Sequence, residues 1–344
     1  MRYEFVKLFS NKKIIIIIVV MFGINIFLAT RNSTVMYEGF NSKVYEFYME
    51  SLQGEYNEDK YIRVMNEYAE MQDLLAKEDS YLQQYKDKIL SVNEYKEISS
   101  DISMAKSRIK TIEYVVEKTQ YYSRCKNIPS YFYDIDVNDY IENMSVNIPL
   151  LICLILIVSF IFCEDYYSNT ISMIRSSKNG KSVLCFNRMM CVCICSTTLS
   201  VVFYIGEFGV KILLMNLGDI NANISSLMCM KNTTLDVTIF EYILLTIIYR
   251  TFFVIIVGII FCVVAICVHR YIVMFMTSLG IVFIPVLITD NILIISKGLE
   301  AYPLLSSAKR IFGFPIMYVS VFIYLVFGIV FLGNGYYLIK RYID

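Results

Sequence analysis

Apolar residues fall into two patterns along this chain. In six places they run almost unbroken, at residues 14–29, 148–163, 189–206, 251–268, 272–289 and 315–339. A helix needs about 17–25 such residues to cross a bilayer, a length that the first two runs reach with their flanks. The first run is read as a retained helix, because Phe27-Leu-Ala-Thr-Arg offers no small-x-small cleavage site. Between the first two runs the pattern changes to helical spacing on a charged background. Leu82, Tyr85, Ile89 and Val92 recur at 3-4-3, and Ile98, Ile102, Ala105, Ile109, Ile112 and Val116 at 4-3-4-3-4. Ser91 and Asn93 mark a helix start and Ser80 precedes another, so these helices are expected to fold back as an antiparallel hairpin or small bundle.

The expected fold is an all-α polytopic membrane protein with six transmembrane helices and a helical, coiled-coil-like extracytoplasmic insert between the first and second spans. Residues 1–13 form an amphipathic interfacial helix, 14–30 the first span and 31–146 the insert. Residues 147–344 form the other five spans, with a cytoplasmic loop at 164–188. The segment 238–249 is too apolar for a simple loop; lying on the outer surface, re-entering and extending the fourth helix are all open to it.

Composition agrees with a membrane chain: 57% hydrophobic, mean hydropathy +0.55. The formal net charge is zero but unevenly spread. Residues 31–146 hold 21 Asp/Glu against 14 Lys/Arg, so an acidic domain is grafted onto a basic membrane part. No soluble basic face is left to neutralise phosphates, which excludes nucleic acid as a partner. Eleven Lys/Arg flank the spans on the side of the termini and of the 164–188 loop, against six on the other. By the positive-inside rule both termini are cytoplasmic and residues 31–146 lie outside the cell membrane.

Candidate chemistry is sparse. Glu207, Lys211, Arg250 and Asp290 border or enter apolar runs and are read as interfacial anchors or as parts of a pathway. Cys191, Cys193 and Cys195 point in diverging directions on a helix, so they cannot converge on one ion and no metal site is expected. Cys125 and Cys229 are the pair that could form an external disulfide. The lone His269 sits in a short turn, and there is neither a phosphate-binding Gly-rich loop nor a dinucleotide fingerprint. No catalytic residue is assigned: the chain is expected not to be an enzyme, and it holds no cofactor by any recognisable motif.

The stretch "EDYYSNTISMIRSSKNGKSVLCFNR", from Glu164 to Arg188, is polar and basic between two apolar runs. Residues 166–174 can form a short surface helix presenting Ile171, Met173 and Ile174, followed by a turn at Asn179-Gly180. A basic positive-inside loop accounts for its charges but not for that apolar spacing. Together with "YEFVKLFSNKKIIIII" at the start of the chain and the six-span layout, the stretch resembles the membrane permeases of bacterial ABC transporters of the type-2 exporter class. Glu164 matches the family's glutamate, Thr170 its threonine and residues 175–181 its basic turn. Asn169 stands where the family has glycine, and the turn lacks the proline often found there.

The resemblance implies a transport subunit that couples to a separate cytoplasmic ABC ATPase through Glu164, Thr170, Ile171, Ile174, Arg175, Lys178 and Lys181. ATP and magnesium would belong to that ATPase chain. The other partners implied are a second permease copy or a relative, and membrane lipid. Cargo is left open among antimicrobial or other peptides and lipids, with the acidic domain suiting cationic peptides. The alternative is a membrane-anchored sensor or scaffold whose outer helical domain binds a ligand or a partner protein. A channel finds no support, since no charge ring or filter-like loop is present.

Overall fold

The structure, a computed structural model, describes residues 2–30, 40–125, 127–142, 144, 147–168, 182–214, 218–231, 235–268, 270–288, 310–311 and 314–315. In chain order the helices are α1 (Arg2–Ser10), α2 (Lys12–Ala29), α3 (Ser42–Leu52), α4 (Glu58–Ala76), α5 (Glu78–Lys86), α6 (Val92–Tyr122), α7 (Ile135–Glu142), α8 (Ile148–Tyr167), α9 (Ser182–Leu214), α10 (Ile239–Val268) and α11 (Tyr271–Ile288). Among the described residues strand is limited to two-residue pieces: β1 (Gly54–Glu55) pairs antiparallel with β2 (Ser130–Tyr131), and β3 (Arg310–Ile311) with β4 (Phe314–Pro315). The chain divides into two compact units, one of Met1–Asn32, Asn143–Leu214 and Ile243–Asp344, the other of Ser33–Glu142 and Met215–Tyr242.

Among the described residues four helices are long and apolar enough to cross a membrane: α2, α8, residues Phe186–Leu214 of α9, and α10. These are the dimensions of an all-α, multi-pass membrane protein. Large apolar side chains such as Ile16, Val19, Phe27, Val202, Ile248 and Met276 face outward, while Glu4, Asp165, Arg188 and Arg250 lie inside. That inversion suits a hydrocarbon solvent, which rewards apolar exteriors and requires polar groups to find partners within the protein. The most enclosed span is α8, which packs against α1, α2, α9 and α11. Asn147 caps it, accepting from Leu150 N, with Pro149 in the first turn. Close approach of α10 depends on Gly258, where a Cβ would lie 2.8 Å from Ser196 Oγ of α9. The segment expected as the fifth span is helical as α11, whose apolar part Tyr271–Ile281 is shorter than those four, and the sixth, 315–339, lies outside the described residues.

The second unit is held by a helical hairpin. Tyr85 of α5 stacks on Tyr95 of α6 at 4.2 Å, and Glu78 pairs with Lys106, so the α4–α5 arm runs antiparallel to α6. Ile102, Ala105, Ile112 and Val116 of the expected stripe are buried. Ile89 and Val92 are not, because the helix breaks between them and Tyr85. After α5 ends at Lys86, Lys88 adopts φ 59°, and Ser91 starts α6 with a reciprocal capping box to Glu94. Ser80 is no helix start: it lies within α5, with its hydroxyl donated back to Lys77 O. Residues 215–242 belong to this unit as well, which extends it beyond the 31–146 expected. Tyr122 Oη donates to Ser226 O, Ser226 Oγ accepts from Ser130 N, and Ile224, Leu227 and Met230 are buried. The open question at 238–249 is settled by a second capping box. Thr238 N donates to Glu241 Oε2 and Thr238 Oγ1 accepts from Glu241 N, so α10 begins at Ile239 and runs through the segment. Cys125 and Cys229 are not joined in a disulfide.

At the centre of this unit Lys118 and Asp134 are both fully buried, 2.9 Å apart. Tyr45 Oη donates to Asp134 and accepts from Lys118 Nζ at 2.8 Å, while the rings of Tyr45, Tyr122 and Phe132 surround the ammonium. Burial lowers the Lys118 pKa and the Asp134 carboxylate opposes that shift. Removing one partner leaves the other charge stranded, so Lys118→Met or Asp134→Leu alone is expected to destabilise this unit by about 3–5 kcal/mol, and the double variant by much less. Thermal unfolding followed by tyrosine fluorescence checks this.

Alkaline pH acts on the same core. Burial holds the Tyr45 and Tyr122 phenols well above their ordinary value of 10, and pushes Tyr131 and Tyr133 up to about 12. A phenol raised in the folded state contributes stability that is complete below its unfolded pKa and is lost as pH climbs through the folded one. Unfolding is therefore expected to set in as pH rises from 10 toward 12, together with a cooperative rise in tyrosinate absorbance.

Candidate functional site

Charged side chains of the first unit collect at the two ends of α8. At its C-terminal end the hub is Arg188 of α9, with its side chain 6% exposed. Its Nε donates to Glu4 Oε1 of α1 at 3.3 Å and its Nη2 pairs closely with Asp165 Oδ2 of α8. Lys7 Nζ donates to the other Asp165 oxygen at 2.7 Å. Phe160 and Phe162 of α8 lie beneath the Lys7 and Arg188 cations. Two acids and two bases thus neutralise one another in an apolar setting, which is what makes their burial tolerable. Burial lowers the Lys7 pKa; the Glu4 carboxylate opposes this and Arg188 adds to it.

On α1 the helical repeat sorts the side chains onto two faces. Glu4 and Leu8, one turn apart, turn inward, while Tyr3, Val6 and Phe9 occupy the exposed face of α1. Next to Asp165, Glu164 accepts from Tyr271 Oη at the start of α11. Its carbonyl takes both the backbone N–H and the hydroxyl of Ser168, which closes α8. Four helices are therefore tied at the point where residues 169–181 leave α8. Of the coupling residues read from sequence, Glu164 belongs to this cluster; Thr170, Ile171, Ile174, Arg175, Lys178 and Lys181 lie outside the described residues. The reading missed Lys7, Asp165, Arg188 and Tyr271 as partners of one another. A Glu-x-x-Lys before the first span and an acid pair at the end of the second were the visible signals.

At the N-terminal end of α8 the hub is Arg250 of α10, 2% exposed. Its guanidinium lies 4.2 Å from the Tyr204 ring centroid and 3.7 Å from Glu207 Oε1, both on α9. Glu207 Oε2 accepts from Asn147 Nδ2 at 3.4 Å, and Asn147 Nδ2 also donates to Asn25 Oδ1 of α2 at 2.7 Å. Asn25 in turn donates to Phe203 O. The structure thus brings Glu207 and Arg250 together inside the bundle, and it buries Lys211 one turn beyond Glu207. Asp290 lies outside the described residues, and Glu241 serves as the capping partner of α10. Among the described residues no three His, Cys, Asp or Glu side chains are grouped to hold a metal ion.

The chain matches no protein family, no curated protein and no solved structure.

The first cluster predicts how α1 is held. Asp165→Ala removes the carboxylate shared by Lys7 and Arg188, and is expected to raise hydrogen exchange across residues 4–10 by about tenfold or more while leaving α10 unchanged. Exchange mass spectrometry on the protein in nanodiscs measures both.

Proposed function

We propose that this chain is the membrane-spanning permease subunit of an ATP-driven ABC exporter, with both termini cytoplasmic and the acidic helical unit outside. A separate ATPase would grip residues 166–181, and closure of two ATPase subunits would shift a pair of permease halves between two packings. The pair is two copies of this chain or this chain with a relative.

One observation supports the reading above the others. The loop that would receive the ATPase is rooted at Glu164 and Asp165, whose side chains are tied to α11, α1 and α9. A displacement applied there would pass to four helices through hydrogen-bonded and ion-paired contacts rather than dissipate in one hinge. A basic loop that served only to fix orientation would need no such root.

The test is to purify the protein from its native membrane after crosslinking and to assay for an associated ATP-hydrolysing subunit. ATPase activity is expected to accompany it, and Ile171→Ala with Ile174→Ala is expected to reduce the recovered activity about tenfold or more, since each apolar anchor at a docking surface is worth about 1–2 kcal/mol. Preparations in which no ATPase crosslinks, or in which the double variant recovers as much as the parent chain, would overturn the reading. The first result would favour the sensor or scaffold.

A further inference from the structure

The pair at the centre of the second unit differs from every other Lys–carboxylate contact among the described residues. The side chains of Lys118 and Asp134 are both 0% exposed and stand 2.9 Å apart, Nζ to Oδ1. The pairs Lys77–Asp73, Lys106–Glu78 and Lys231–Glu117 are all exposed, where water keeps both groups ionised. Lys7 is 18% exposed and shares Asp165 with Arg188. Arginine pairs are of another kind, because a guanidinium keeps its protons and has no lone pair with which to attack.

Three features of the Lys118 site are those that an amine and a carboxyl group need in order to condense. The first is proximity in a fixed pose. Nζ touches Oδ1, one bond from Cγ, and both groups are held: Asp134 Oδ2 accepts from Asn138 Nδ2 at 2.8 Å, and Nζ also donates to Tyr45 Oη at 2.8 Å. The second is exclusion of water. The ring centroids of Tyr45, Tyr122 and Phe132 lie 5.5, 5.8 and 5.8 Å from Nζ, and Met49 Sδ lies 3.7 Å from it. Two charges are expensive in such a setting, and moving one proton from Lys118 to Asp134 leaves a neutral amine beside a neutral acid. Burial lowers the Lys118 pKa in that direction, while the Asp134 carboxylate opposes the shift. The third is a fixed donor. Tyr45 Oη donates to Asp134 Oδ1, an oxygen on which negative charge builds as nitrogen adds to Cγ. Burial holds that phenol well above its ordinary pKa, so it stays protonated and able to donate.

We infer that Lys118 and Asp134 condense into a covalent amide, an intramolecular crosslink between α6 and the residue before α7, with the Tyr45 hydroxyl as the donor that promotes it. The step needs no co-reactant. In the ion pair the nitrogen carries three protons. One passes to the carboxyl group, the Nζ lone pair forms a C–N bond at Cγ, and one C–O bond breaks. The departing oxygen leaves as water with two of the three protons, and the third stays on the amide nitrogen, which keeps Tyr45 Oη as its acceptor. Two buried charges disappear, so the cost of desolvating them drives the condensation. The apolar shell that excludes water also protects the product from hydrolysis. The link closes the chain from 118 to 134, a stretch already tied to Ser226 through Tyr122 and Ser130, and braces the acidic unit at its core. The inference does not rest on the transport reading, because no ATPase or cargo enters the step.

The experiment is mass spectrometry of the full chain purified in detergent. The parent is expected to weigh one water less than its sequence requires, and tandem fragmentation of a digest is expected to find Lys118 and Asp134 in one branched peptide. Lys118→Arg keeps the cation without a nucleophile and is expected to keep its full mass. Asp134→Asn releases ammonia in place of water and is expected to reach the same final mass as the crosslinked parent. Tyr45→Phe is expected to form the link about a hundredfold more slowly, read as the linked fraction against time after synthesis. A parent chain of full mass, with Lys118 and Asp134 recovered in separate peptides, would overturn the crosslink. So would a water loss that maps to Asp134 alone, which is a cyclic imide with the Lys118 amine unreacted. A Tyr45→Phe chain that links as fast as the parent would overturn the part given to Tyr45.

Discussion

The cost of taking a charge out of water governs where this chain can place its ionisable side chains. A stranded ion in an apolar interior costs several kcal/mol or more, so each buried charge must arrive with a partner. Arg188 meets Glu4 and Asp165, Arg250 meets Glu207, and Lys118 meets Asp134. In every case the partner comes from another helix or from a distant loop. Pairing therefore dictates tertiary arrangement: α1 cannot leave the bundle without exposing or stranding Arg188, and α3 cannot leave α6 without uncovering Lys118. Hydrophobic contact in lipid offers no comparable preference, because a leucine is as well solvated by acyl chains as by another leucine. In the apolar unit, polar pairs and close approach at small residues such as Gly258 carry the specificity.

The same reasoning separates the two ends of α8. At the Arg250 end the polar groups form a chain from α10 through Glu207 and Asn147 to Asn25, joining α2, the α8 cap, α9 and α10. At the Arg188 end the carboxylate of Asp165 is shared between two bases, Lys7 and Arg188. A shared acceptor can exchange one donor for the other at small cost in charge pairing, whereas a linear chain breaks if any link moves. The Arg188 end is thus the better suited to exchanging partners, and it is the end at which residues 169–181 follow α8 along the chain.

Much of the secondary structure was legible, because apolar run length and cap residues are local properties. Ser91 with Glu94 began α6 as its sequence advertises, and the long apolar runs became α2, α8, α9 and α10. Errors arose where a local signal had two meanings. Glu241 reads as a charge beside an apolar run, yet Thr238 three residues before it makes a capping box, and that pair decides that 238–249 is helix. Ile89 and Val92 fit a helical stripe by spacing, but Lys88 in the left-handed region interrupts it, and nothing in a 3-4-3 count registers a backbone turn. The partners of Arg188 were out of reach for a different reason. They lie 184 and 23 positions away along the chain, and spacing on one helix carries no information about which face of another it will meet.

Local rules broken without local compensation are the remaining source of functional signal. Where neighbouring like charges persist on a helix, either a distant base answers them or water and salt screen them. The acid pair Glu164-Asp165 is of the first kind: Asp165 is answered by Lys7 and Arg188, and Glu164 by the Tyr271 hydroxyl. The pair Glu46 and Glu50 is in no ion pair among the described residues, and Lys60 donates to the Gln53 and Glu55 carbonyls. Of the two acidic pairs, one is consumed in holding helices together, and the other stays exposed on α3. That difference, which the sequence alone does not display, follows from whether a base on another element can reach the pair.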